Sequence, residues 1–323
     1  MEIRLSNPRG FCAGVRMAIE IVDEILDAMD SDEKLYVYHE IVHNFHVVER
    51  LKARGAIFVD SISDIPESSV VVFSAHGVSP EIKKQAEERH LIAIDATCPL
   101  VTKVHAEAIR YAKRGWQIIL IGHRDHQEVI GTQGEAPESI QILESVEGID
   151  DLHIIDPDAL VYLTQTTLSI DDAKVIIEAL KKAFPMIHSP PSDDICYATT
   201  NRQIAVRDES PKADLVLVVG SQNSSNSLRL TEISKTAGTP AYLIDDVSRV
   251  QPEWFNGVEQ LLITAGASAP ERLVSAIVEH LTVHYDGRLI DGAPVDENMS
   301  FSMPTSHLHF LQNKDITVEG KSK

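Results

Sequence analysis

The sequence predicts an α/β protein of three domains related by a pseudo-threefold repeat, each a parallel-type sheet flanked by helices. Three observations carry that prediction. Short β-branched apolar runs alternate with helical periodicity along most of the chain, the polar clusters between them recur in one order, and each round of that order leads to one of only 3 cysteines. A β-branched run, a small polar cluster and then a 3.6-residue apolar period is the signature of a βα unit.

In chain order the apolar runs are IRLS, LYVYH, AIFVD, VVVFSA, LIAIDA, IILIG, IQILES, LVYLTQ, MIH, LVLVVG, AYLIDD and LLITAG. Runs this uniformly apolar belong to strands covered on both faces, as in parallel sheets. Helical faces lie between them in NFHVVERLKARG, EIKKQAEERH, DDAKVIIEALKKAF and ERLVSAIVEHL. Residues 286–323 break the rhythm with scattered Gly, Pro and charge and a weak strand signal at SFSMP. They are expected to form a C-terminal tail that packs on the surface or is partly disordered at its end.

The polar clusters define the repeat. After Cys12 come a helix, HEIVHNFH, then SAHGVS, then the strand that delivers Cys98. After Cys98 come a helix, GHRDHQE, then TQTTLS, then MIHSPPSDD delivering Cys196. After Cys196 come a helix, GSQNSSNS and AGASAP, and the strand and cysteine then due are found at the other end of the chain, in EIRLSNPRGFC. The repeat is circular. It divides the chain into residues 16–97, residues 98–195, residues 196–285 completed by residues 1–15, and the tail at 286–323.

Composition limits the function. A chain of 323 residues with 43% hydrophobic content can bury a large core in more than one domain. No apolar stretch approaches a membrane span. The start, MEIRLSNPRG, lacks the apolar region of a secretory signal and the character of a transit peptide, so a cytoplasmic protein is expected. The net charge of −20 repels phosphate backbones and makes nucleic acid an unexpected partner. An odd number of cysteines argues against a disulfide framework.

Each cysteine instead falls where a strand ends and a helix begins, the place where ligands gather in parallel α/β folds. A helix N-terminus stabilises a thiolate, and three such junctions around one axis would make a metal site. A lone cysteine is more often a small buried hydrophobe, but that reading weakens when all three recur at equivalent positions. There is no CxxC pair. Zinc would want a fourth protein ligand, whereas a cubane iron–sulfur cluster on three cysteines would leave one iron open to substrate.

The remaining clusters supply polar groups at the same kind of junction: His43 and His76 in the first repeat, His126, Glu128 and Thr166 in the second, Ser224, Ser225, Asn226 and Ser268 in the third. Such donor-rich loops suit a phosphate or diphosphate. Individually, Ser, Thr and Asn at these junctions are usually N-caps, and His39, His46, His105 and His123 read as structural. GSQNSSNS has no Walker lysine and AGASAP is not GxGxxG, so neither standard nucleotide loop is present. Glu128 is the one carboxylate in the set and the candidate proton donor.

NPRGFCAGV, HEIVHN, FSAHGVS, DATCPLVTKVH, GHRDHQEVIGT, TQTTLS, DDICYATTNRQ, VVGSQNSSNS and TAGASAP together resemble the hydroxymethylbutenyl diphosphate reductases of non-mevalonate isoprenoid synthesis, in order and over most of the chain. The resemblance implies a three-domain α/β fold around a central [4Fe-4S] cluster on Cys12, Cys98 and Cys196. It implies reductive removal of the allylic hydroxyl from (E)-4-hydroxy-3-methylbut-2-enyl diphosphate, giving isopentenyl and dimethylallyl diphosphates. It places His43, His76, His126, Ser224, Ser225, Asn226 and Ser268 on the diphosphate and Thr166 near the substrate hydroxyl beside Glu128.

Two positions depart from the family's pattern: Gln127 stands where proline is usual, and Met17 where a basic residue is usual. With no flavin or nicotinamide site visible, electrons are expected from an external donor such as ferredoxin or flavodoxin. Two other classes compete with this reading: a zinc-stabilised anion-binding protein, and an iron–sulfur sensor that binds its ligand without turnover.

Overall fold

The computed structural model describes residues 1–292 and 295–314. Among these the chain runs β1 (Glu2–Leu5), α1 (Ala13–Ala28), β2 (Leu35–Tyr38), α2 (Phe45–Ala53), β3 (Ile57–Val59), β4 (Val70–Phe73), α3 (Pro80–Glu88), β5 (Ile92–Asp95), α4 (Pro99–Ala112), β6 (Gln117–Ile121), α5 (Gln127–Glu135) and β7 (Ile140–Leu143). It continues with β8 (Leu160–Thr164), α6 (Ile170–Ala183), α7 (Tyr197–Glu209), β9 (Leu215–Val219), α8 (Ser225–Thr236), β10 (Ala241–Ile244), β11 (Gln260–Ala265), α9 (Glu271–His284), β12 (Arg288–Asp291) and α10 (Thr305–Asn313). No helix among the described residues is long and apolar enough to cross a membrane.

The strands form three sheets, ordered β3-β2-β4-β5, β7-β6-β8 and β10-β9-β11-β1-β12, and every pairing is parallel. The same step recurs in each. From β2, β6 or β9 the chain crosses to one neighbour and then returns to the other side, to β4, β8 or β11. The crevice between those two strands, at their C-terminal ends, is the switch point where open α/β sheets bind ligands.

The chain divides into two compact units. One comprises residues 1–15, 43–47 and 197–299 and holds the five-stranded sheet. Here β1 lies between β11 and β12, with Ile3 opposite Leu261 and Leu5 opposite Ile263. One face packs Ile3, Leu217 and Ile263 against Leu273, Val274, Ile277 and Leu281 of α9. The other packs Val216 and Val218 against Val206 of α7 and Leu230 of α8. The N-terminal strand thus pairs with a segment far away in sequence, as a circular repeat requires.

The second unit comprises residues 16–42, 48–196 and, of the described tail, 300–314, and holds the other two sheets. In one, Tyr36, Val71 and Phe73 pack with Ala86 of α3. In the other, Ile118 and Leu163 meet Val104 and Ala108 of α4, while Ile119 and Tyr162 on the opposite face meet Ile176 and Leu180 of α6.

Two expectations for individual strands need correction. MIH makes only an isolated bridge between His188 and Val161, because Pro190 and Pro191 follow at once and cannot extend a ladder. SFSMP forms no strand. Its neighbourhood contains β12 instead, and α10, whose buried His307, Phe310 and Leu311 have helical spacing. Ser306 of α10 accepts a hydrogen bond from the Asp95 backbone N–H at 3.3 Å, at the end of β5. The expected disorder at the end of the tail falls at residues 315–323, outside the described residues.

Ile3 is completely buried in a strand paired on both sides. Ile3→Ala is therefore expected to cost about 2–5 kcal/mol in chemical denaturation, and removing residues 1–11 should abolish protease resistance of residues 197–292. A truncated chain with wild-type protection there would contradict the place of β1.

Candidate active site

The three cysteines sit in the same kind of local setting, each in its own loop. Cys12 immediately precedes α1, Cys98 is the N-cap residue of α4, and Cys196 immediately precedes α7. In each case the cysteine N–H donates to the carbonyl two residues beyond the end of a strand: Cys98 to Ala75 after β4 at 3.0 Å, Cys196 to Thr166 after β8 at 3.1 Å, and Cys12 to Ala267 after β11 at 3.1 Å. All three are partly exposed and none is in a disulfide. Among the described residues no three His, Cys, Asp or Glu side chains surround a single ion position. A cubane spreads its ligands over the corners of a cluster rather than around one ion.

In the second unit the switch point between β6 and β8 carries the acid. Glu128 lies in the first turn of α5 and is 3% exposed. The Thr166 N–H donates to its Oε1 at 2.6 Å, and the Thr166 hydroxyl lies 2.9 Å from its Oε2. Burial pushes the Glu128 carboxyl up to about 7, against the two Thr166 hydrogen bonds and the nearby charge of His105, which pull it down. Oε1 is fixed as an acceptor by the backbone N–H, so the proton of the neutral acid belongs on Oε2, facing the threonine hydroxyl.

His126 caps α5, its Nδ1 accepting from the Glu128 N–H at 3.2 Å. That bond places the proton of the neutral ring on Nε2. The His76 ring stands edge-on to it, centroids 5.9 Å apart. Gln127 occupies the first helical position, where proline is favoured only because its missing N–H is not needed there. The His126 cap starts the helix without it.

In the first unit the loops after β9 and β11 and the residues before α2 form a second group. Ser224 caps α8 by accepting from the Ser227 N–H at 3.4 Å, and its Oγ lies 3.4 Å from that of Ser268. The Ser268 hydroxyl donates to the His43 carbonyl at 2.8 Å. Gly220 and Gly266 leave room for the Ser227 side chain behind this group, since a Cβ at either would collide with Ser227 Oγ. Ser225 opens α8, leaving its first N–H groups toward the loop. Asn226 is 4% exposed, and among the described residues neither its amide nitrogen nor its oxygen has a hydrogen-bond partner. A buried amide with both ends unmet costs free energy unless something else satisfies it.

The structure therefore gathers Glu128, Thr166, His126 and His76 in one unit, and Ser224, Ser268, Asn226 and the His43 backbone in the other. Of the histidines read as structural, His39 lies 3.0 Å from Asp60, and His105 is buried with its Nδ1 2.8 Å from Glu135. Sequence reading missed Asn44, which caps α2 from within HEIVHN, Lys103, whose Nζ holds residues 192–194, and Tyr197 and Arg202 of α7. A signal existed for the last. Thr199, Arg202 and Gln203 are all buried on a helix with little apolar stripe, and a polar inward face implies a built hydrogen-bond network.

The family model described as LytB protein matches residues 3–282. A 4-hydroxy-3-methylbut-2-enyl diphosphate reductase of Rhodopirellula baltica is 52% identical over 304 residues, covering 94% of this chain and 95% of that one. The protein of the same name from Chromohalobacter salexigens is 51% identical over 308 residues, covering 94% and 96%. Among solved structures, the E-1-hydroxy-2-methyl-but-2-enyl-4-diphosphate reductase of Plasmodium falciparum superposes with a TM-score of 0.91 at 41% identity, covering 97% of this chain and 98% of that one.

Because the folded protein holds the Glu128 proton more tightly than the unfolded chain, the residue favours folding below its ordinary 4.5 and loses that contribution as pH rises through about 7. The full penalty is on the order of 3 kcal/mol. Glu128→Gln removes the ionisation, so its stability relative to wild type should rise between pH 5 and pH 8 in thermal melts. A difference independent of pH would show that the carboxyl is not raised.

Proposed function

The chain belongs to the LytB protein family, and we propose that it catalyses the reaction for which its relatives are named. (E)-4-hydroxy-3-methylbut-2-enyl diphosphate loses its allylic hydroxyl as water, taking up two electrons and two protons, and leaves as isopentenyl or dimethylallyl diphosphate. Family membership implies an iron–sulfur oxidoreductase. The finer assignment is a [4Fe-4S] cluster held by Cys12, Cys98 and Cys196. The donor set suits it: three partly exposed thiols outside any disulfide, soft ligands for iron, each on a loop ending at a helix N-terminus. When bound, the cluster supplies the electrons and a Lewis-acid iron for the substrate oxygen.

The residues of the chain do the rest. His43, His76, His126, Ser224, Ser225, Asn226 and Ser268 take the diphosphate, with the helix N-terminus of α8 and the unmet amide of Asn226 as anion-facing donors. Holding the diphosphate orients the allylic end. The observation that carries the reading is the Glu128–Thr166 pair. Departure of hydroxide needs a proton, Glu128 is poised to hold one near neutral pH, and the Thr166 hydroxyl beside Oε2 passes it on. The second proton goes to an allylic carbon, and its position decides which product forms. Electrons arrive from an external donor such as ferredoxin or flavodoxin, in the cytoplasm.

Anaerobic turnover of the hydroxylated diphosphate with a chemical reductant tests this. Wild-type protein should form both products, with a rate falling as pH rises through about 7. Glu128→Gln should be slower by about 10²- to 10⁴-fold while still binding substrate in a spectroscopic titration. No product from wild type would leave a ligand-binding sensor, and near-normal turnover of the variant would move the acid elsewhere.

A further inference from the structure

The helix that follows Cys196 grips the loop that carries Cys12. Arg202 of α7 is 0% exposed and its guanidinium is fully engaged. Its Nε and Nη2 donate to the Gly10 carbonyl at 3.2 and 2.8 Å, and its Nη1 donates to the Ala198 carbonyl at 2.9 Å. Nη1 and Nη2 also meet the two oxygens of Glu297 at 3.3 and 3.0 Å, and Asn201 donates to the same carboxylate at 2.9 Å. A second hold lies on the far side of Cys12, where the Ala13 N–H donates to the Tyr197 hydroxyl at 3.1 Å. Gly10 has φ +68, and a Cβ there would stand 3.2 Å from the Ala269 carbonyl, so this loop accepts few other conformations.

A fully buried guanidinium is costly unless a carboxylate neutralises it and its donors are all used. Glu297 is that carboxylate, and it lies beyond residue 282, where the family match ends. We infer that Arg202, balanced by Glu297, is a positioning residue for Cys12, which makes the segment after β12 part of the scaffold of the metal site. The inference rests on Cys12 being a cluster ligand. A related device holds the approach to Cys196. Lys103 of α4, the helix after Cys98, donates to the carbonyls of Ser192 and Asp193 at 2.9 Å each and pairs with Asp194 at 3.1 Å. Met17 stands at the matching register of α1, and the approach to Cys98 is held instead by Lys83, 2.8 Å from Asp95.

Two conservative variants test the clamp. Arg202→Lys keeps the charge but loses the fork, and Glu297→Gln keeps the shape but loses the charge. Alkylation of all three cysteines is followed by mass spectrometry in the metal-free full chain, and iron loss to a chelator in the anaerobically reconstituted protein. In both variants Cys12 should react on the order of tenfold faster than in wild type, Cys98 and Cys196 should keep their rates, and iron should leave faster. Unchanged Cys12 reactivity in either variant would overturn the inference, as would an equal rise at all three cysteines, which marks general loosening. Failure of the ligand assignment would look different: Cys12→Ser would then hold iron as long as wild type, whatever the alkylation rates.

Discussion

Each cysteine is tied by its own N–H to the carbonyl two residues past the end of a strand, and the rest of the site depends on that bond. For Cys98 and Cys12 the strand leading to the cysteine, β5 or β1, lies beside β4 or β11 and runs the same way, and for Cys196 a single parallel bridge from His188 to Val161 of β8 takes that place. Parallel pairing and strand order are therefore prerequisites of thiol placement. They also explain the place of β1: without it next to β11, the loop through Gly10 and Cys12 would have no backbone to follow. The same strand order opens a switch point in every sheet.

Burial sets the chemistry at these crevices. Glu128 receives two hydrogen bonds, which favour its charged form, yet loss of solvent outweighs them and pushes the carboxyl up to about 7. An exposed glutamate at the same helix N-terminus would be ionised at neutral pH, with no proton to give. The same burial costs stability at alkaline pH, where the carboxyl must ionise. Asn226 and Arg202 illustrate the two ways of treating buried polar groups. The guanidinium is satisfied within the protein, whereas the amide is left unmet among residues assigned to the diphosphate. Only the second arrangement leaves binding energy for a ligand.

Much of this was legible in the sequence because the repeat is written in residue types that parallel α/β folds require. Uniform apolar runs marked most of the strands, and the polar clusters after them marked the loops and helix starts that carry the residues proposed for the site. MIH misled because its three apolar-leaning residues look like a strand until the following prolines are weighed. The segment after residue 285 was hardest to read. Strand β12 is short and lies at a sheet edge, and α10 buries two histidine-flanked turns without a long apolar stripe. Arg202 and Glu297 were hidden for a different reason. Their partnership spans 95 residues, and no local pattern marks a charge that will be buried.

The proposed function has Cys12, Cys98 and Cys196 act as one set. It is tested most directly by iron and acid-labile sulfide per chain in anaerobically purified protein, wild type beside Cys12→Ser, Cys98→Ser and Cys196→Ser. About four irons and four sulfides are expected in wild type, with a clear loss in every variant, since serine replaces a soft thiolate with a harder, more basic oxygen donor. A variant that kept the full iron and sulfide content would return its cysteine to simple core packing, and stoichiometric zinc without sulfide in wild type would contradict the cluster altogether.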